Sequence, residues 1–144
     1  SPPYWSILNK KIDHKTIARV EEKLDTNYSN SKDDLGNIEK YDDFLKILVN
    51  KIFKECGRTL KNDKYMAIVV SDFRNKSEFI SFHSDLIQKI NKLKIDDKHM
   101  LTLQGVKALL QNHKSLLPYG YPFAYVENIH HQYILIFKKT VIKK

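Results

Sequence analysis

The chain predicts an α/β fold built on a partly parallel sheet. Two amphipathic helical stretches, at 41–56 and 77–93, bracket a continuous apolar run at 65–71 that is rich in Val and Ile. A second apolar run, at 131–138, lies near the C-terminus. Helix, strand, helix and then further strands is the order that layers helices on a sheet.

Each element has its own signal. Residues 13–24 place Ile17, Val20 and Leu24 at helical spacing with charges between them. The next stretch, 25–37, is polar, contains Gly36, and reads as a loop. In 41–56 the side chains Phe44, Leu45, Leu48, Ile52 and Phe53 form one helix face, and Gly57 stands where a C-terminal cap belongs. Lys61-Asn62-Asp63-Lys64 is a turn, because Asn and Asp tolerate left-handed backbone angles. The run 65–71 has the pattern of a strand buried on both faces. In 77–93 the residues Phe79, Phe82, Leu86, Ile90 and Leu93 point inward. Residues 101–110 fit either a strand or a helix, 119–125 alternates aromatics, and 131–138 is a strand.

Composition narrows the partners. The 144 residues include 25 Lys and Arg against 17 Asp and Glu, a net charge of +8 that attracts polyanions and makes nucleic acid the first partner to consider. Only Arg19, Arg58 and Arg74 are Arg, so a Lys-rich solvated surface is the competing explanation. No apolar run approaches the ~20 residues that span a bilayer, so no membrane is expected. The single Cys56 rules out an internal disulfide and suits a reducing, cytoplasmic setting.

The chemistry starts at the first residue. Ser1-Pro2-Pro3-Tyr4-Trp5 contains two prolines that fix φ and remove two N–H donors, so their carbonyls stay available as acceptors. A hydroxyl precedes them and an aromatic ring follows, a set suited to a flat ligand carrying an amino group. Pro-Pro by itself more often marks a linker.

Ser1-Pro2-Pro3-Tyr4-Trp5 resembles the (Asp/Asn/Ser)-Pro-Pro-(Tyr/Phe) signature of amino-group DNA methyltransferases. Arg58-Thr59-Leu60-Lys61, a turn and the run from Tyr65 to Val70 resemble the family's Arg-x-Leu-Lys-Pro-Gly-Gly turn and strand, with Asn62-Asp63-Lys64 in place of Pro-Gly-Gly. Asp72-Phe73-Arg74 resembles its next segment. The stretch from Pro118 to Phe123, followed by His130 to Lys139, is similar to its closing loop and strand.

The resemblance implies the catalytic half of a Rossmann-like class I methyltransferase fold, with a mostly parallel sheet ending in an antiparallel strand. It implies one half-domain over 1–144, acting on the exocyclic amino group of cytosine or adenine in DNA, with S-adenosylmethionine as methyl donor. By the same resemblance, Ser1, Pro2, Pro3 and Tyr4 are catalytic, and Trp5, Tyr119, Tyr121 and Phe123 line the target-base pocket. The base is expected to be flipped out of the duplex. A half-buried alternating strand is the other reading of those late aromatics. The family's Gly-rich cofactor turn is missing, since Gly36, Gly57, Gly105 and Gly120 are isolated. The cofactor half is therefore expected elsewhere, in a further segment or a partner chain. A non-catalytic nucleic-acid-binding or subunit domain and a related RNA methyltransferase remain alternatives.

Other candidates are structural on sequence grounds. His130 and His131 alternate faces of a strand, and His14, His83, His99 and His113 lack metal-ligand spacing. Asp72 reads as a loop cap, and Cys56, at a helix C-terminus, as inert core. Lys138, Lys139, Lys143 and Lys144 either touch phosphates or are solvated.

Overall fold

A computed structural model describes residues 1–6, 29–114, 117–118 and 125–143. The helix expected at 13–24 and all of the 119–125 stretch except Tyr125 lie outside these residues. The chain divides into two compact units, Pro2–Ile52 and Phe53–Lys144, with Ser1 grouped with the second.

In the first unit a short 3-10 turn, Leu35–Asn37, is capped by Asp34, whose side chain accepts the Gly36 N–H. Helix α1 follows at Tyr41–Ile47 and continues into a π-helical segment, Leu48–Phe53, inside which the unit boundary falls. A π turn aligns residue i with i+5 where an α turn aligns i with i+4. Ile52 is accordingly 44% exposed, whereas Phe44, Leu45, Leu48, Val49 and Phe53 are each buried. The expected helix face is corrected by that one-residue shift.

The second unit continues with α2, Lys54–Thr59. Gly57 lies within this helix and does not cap it. A Cβ built there would stand 2.5 Å from Ile95 Cδ1, so glycine serves close approach. The turn at 61–64 carries Asp63 at φ 60 and leads into β1, Tyr65–Val70. A hairpin of β2, Phe73–Asn75, and β3, Glu78–Ile80, turns through Lys76 at φ 59. The hairpin occupies the start of the helix expected at 77–93. The helix itself, α3, is confined to Phe82–Ile90, where Phe82, Leu86 and Ile90 are fully buried. Phe79 is 47% exposed on the hairpin, beneath the Arg74 guanidinium. Lys92, at φ 65, ends the helical path and starts β4, Leu93–Lys94. Two long strands complete the unit, β5 at His99–Leu110 and β6 at His131–Val141.

The four-stranded sheet has the order β1-β6-β5-β4, and every pairing in it is antiparallel. This overturns the mostly parallel, Rossmann-like sheet. The physical reason lies in β6. A strand, a helical crossover and a strand read in sequence as a parallel pair, and β1 and β5 do run in the same direction. They do not touch as neighbours, because β6 lies between them and pairs antiparallel with both, along its whole length with β5. The strand expected to be buried on both faces is also corrected. β1 is a sheet edge; Tyr65 and Ala67 are exposed, and only Ile68 and Val70 are buried.

The core of this unit follows from the register. Ile68 of β1 stands opposite Leu135 of β6, and Leu103 of β5 stands opposite Phe137. Leu135, Phe137 and Leu101 are fully buried. Phe82 meets Phe73 with ring centroids 5.6 Å apart. Each such side chain contributes about 1.5–3 kcal/mol on full burial.

Candidate functional site

The N-terminal segment is held by its tryptophan. Ser1 is exposed, and Pro2, Pro3 and Tyr4 are half-buried without regular structure. Trp5 adopts φ 46, its indole N–H donates to the Ile38 carbonyl at 2.6 Å, and its ring tilts against Tyr41 at 5.4 Å. Tyr41 in turn stacks on buried Phe44 at 6.3 Å. The Pro2-Pro3 pair is thus joined to an anchored ring, which limits how far the loop can move. Tyr119, Tyr121 and Phe123, expected to line the target-base pocket, lie outside the described residues.

Among the described residues, the glycines do not make a cofactor turn. Gly36 is in the 3-10 turn, Gly57 is inside α2, and Gly105 marks a bulge in β5 with open space around it. These three residues do not fit the Gly-rich turn that admits S-adenosylmethionine. Among the described residues, no group of three or more His, Cys, Asp or Glu side chains is arranged to hold a metal ion. Nor, among them, is any helix long and apolar enough to cross a membrane.

Sequence reasoning passed over a second cluster, in the sheet unit. Asp72 follows β1 and is 5% exposed. Its carboxylate accepts the backbone N–H of His83 at 3.0 Å and contacts His83 Nδ1 with both oxygens, at 2.7 and 2.8 Å. The loop-capping role expected of Asp72 is visible in the first of these bonds. The ring contact comes from folding the 73–80 hairpin back, which no local spacing foretells. His83 stacks on Tyr133, with centroids 3.8 Å apart and planes 17° from parallel. The Tyr133 oxygen is 3.0 Å from His131 Nε2, and His130 meets His131 edge-on. Burial, and then the Asp72 charge, push the Tyr133 phenol up from its ordinary value. Tyr133 therefore stays protonated at neutral pH, and its hydroxyl shares a hydrogen bond with His131 Nε2.

The lysines divide. Lys139 is 6% exposed, and its ammonium donates to the carbonyls of Leu60, at 2.9 Å, and Arg58, at 3.3 Å. It closes the end of α2, so neither a phosphate contact nor solvation describes it. Lys138 lies over the Tyr65 ring and 3.3 Å from Asp63, while Lys143 is exposed. His99 is bonded to Asp96 within the β4–β5 turn. Cys56 is exposed, which corrects its placement in the core.

No protein-family model matches this chain, and neither a curated protein nor a solved structure does.

Proposed function

We propose that the chain carries the amine-binding loop of an S-adenosylmethionine-dependent DNA methyltransferase acting on the exocyclic amino group of cytosine or adenine. The observation that carries this reading is the Ser1-Pro2-Pro3-Tyr4 segment, half-buried beyond Ser1 and tied through Trp5 to the Ile38 carbonyl. In this reading the Ser1 hydroxyl and the Pro2 carbonyl accept hydrogen bonds from the amino group. Those bonds hold the nitrogen lone pair out of the ring system and orient it, while Tyr4 stacks on the base. Catalysis on this side is orientation and preorganised polarity. The cofactor is bound by a further segment or a partner chain, in the cytoplasm. The excess of Lys supplies sequence-independent attraction to DNA.

Substitution in the full-length protein tests the loop. Tyr4→Ala removes a stacking surface that contributes ~1–3 kcal/mol per base. Ser1→Ala removes a preorganised partner whose loss raises the barrier by ~3 kcal/mol, by analogy with an oxyanion-hole donor. Single-turnover transfer of a labelled methyl group should slow about tenfold to a thousandfold, with DNA binding at fixed salt nearly unchanged. Parent rates in both variants would remove the loop from catalysis. The all-antiparallel sheet and the missing glycine turn favour a second reading, a non-catalytic nucleic-acid-binding domain. Salt-dependent DNA binding by a full-length protein that transfers no methyl group would select it.

A further inference from the structure

Asp72 does more at His83 than cap a helix. Capping α3 needs only the backbone N–H, yet both carboxylate oxygens also reach the ring nitrogen Nδ1, at 2.7 and 2.8 Å. A carboxylate has no hydrogen to give, so Nδ1 carries it, and Nε2 of the neutral ring is left with a bare lone pair. Stacking on Tyr133 at 3.8 Å fixes the plane of the ring. The His83 side chain nevertheless keeps 21% exposure, and no hydrogen bond from a described residue reaches its Nε2. Orientation by a buried carboxylate, a fixed ring plane and a reachable lone pair are the requirements for an imidazole that takes up a proton.

We infer that Asp72 and His83 form an oriented imidazole base, a site for a ligand that presents an N–H or O–H group to Nε2. The carboxylate behind the ring opposes an anionic ligand, so the class is an amine, amide or hydroxyl, neutral or cationic. From an ammonium ligand the proton moves to Nε2 and the electron pair stays on the ligand nitrogen, which becomes a neutral amine. The ring becomes an imidazolium and Asp72 stays a carboxylate that stabilises it. A neutral amine, amide or hydroxyl instead donates a hydrogen bond to Nε2 and keeps its hydrogen. The hydrogen bond between the Tyr133 hydroxyl and His131, two residues earlier on β6, holds the stacking surface in place. This site is independent of the methyl-transfer reading.

Diethyl pyrocarbonate tests it on the chain as it stands. The reagent acylates an imidazole nitrogen that has an accessible lone pair. The nitrogen attacks a carbonyl carbon and ethyl carbonate departs. Ethyl carbonate then breaks down to carbon dioxide and ethanol, which takes up the hydrogen lost from Nδ1. Peptide mapping should find His83 modified in the parent protein. In Asp72→Asn the amide can donate to Nδ1 and move the ring hydrogen to Nε2, so modification of His83 should slow by about tenfold or more. The exposed His113 should react at one rate in both proteins. Nitrogen NMR of the parent rings needs no variant and should show the His83 hydrogen on Nδ1. The site is overturned if His83 is unreactive while His113 reacts, if Asp72→Asn leaves the His83 rate unchanged, or if the hydrogen is found on Nε2.

Discussion

Lys139 shows how a single side chain in this protein can reverse an expectation drawn from charge. In sequence it is one of a C-terminal group of lysines, yet its ammonium is buried against the carbonyls that end α2. Hydrogen bonds to a charged group contribute about 1.5–3 kcal/mol. Lys139→Met keeps the stem and removes the donors, and should lower unfolding stability by about 1–2 kcal/mol in a urea titration. Tyr133 makes a second prediction at this scale. Its phenol is pushed up by burial and by Asp72, so folding favours the protonated form. That stability is fully present below the ordinary tyrosine value of 10.0 and is lost as pH rises through the higher folded value. An absorbance titration should show one late-ionising tyrosine, with its midpoint lowered by Asp72→Asn. At the acid end, Asp96 is held below its ordinary value of 3.8 first by the Lys98 backbone N–H, then by the His99 side chain. Its contribution is present above 3.8 and fades as pH falls below it. The pairing of Asp72 with His83 was not legible at this scale, because eleven residues and a hairpin separate them.

Among the elements, α2 is decided by packing more than by propensity. Gly57→Ala gains about 1 kcal/mol of helix propensity. The new methyl would stand 2.5 Å from Ile95 Cδ1 and 3.3 Å from Leu101 Cδ1, both in buried side chains. Overpacking of that kind destabilises by about 1–3 kcal/mol, so thermal unfolding should show a net loss. Ile95→Val in the same chain should recover part of it. Strands β1 and β6 were legible because Val, Ile and Leu run together there. The 41–56 helix was legible in its start but not in its end or its face, since it runs through Gly57 to Thr59 and nothing in its spacing announces a π turn. The 77–93 helix was overextended because Phe79 fits the helical period, although it belongs to β3. Residues 101–110 satisfied two periods at once, and pairing with β6 decides them as strand.

At the scale of the whole molecule, the expected parallel sheet failed because local sequence reports strands and crossovers but not insertion order. The chain enters β6 last and places it between β1 and β5, antiparallel to both, and β4 pairs antiparallel with β5. The candidate loop, by contrast, was legible as five consecutive residues, and its Trp5 anchor required only the fold of the first unit. The charge of +8 predicts nucleic-acid binding that weakens steeply with salt. A loop that binds and orients an exocyclic amine sends the methyl group to that nitrogen. Duplex DNA incubated with the full-length protein and S-adenosylmethionine can be digested to nucleosides and analysed by mass spectrometry. The expected product carries the methyl group on the exocyclic nitrogen of cytosine or adenine. A methyl group on a ring carbon, or DNA left unmodified, would rule out the amine-binding role of Ser1 to Tyr4.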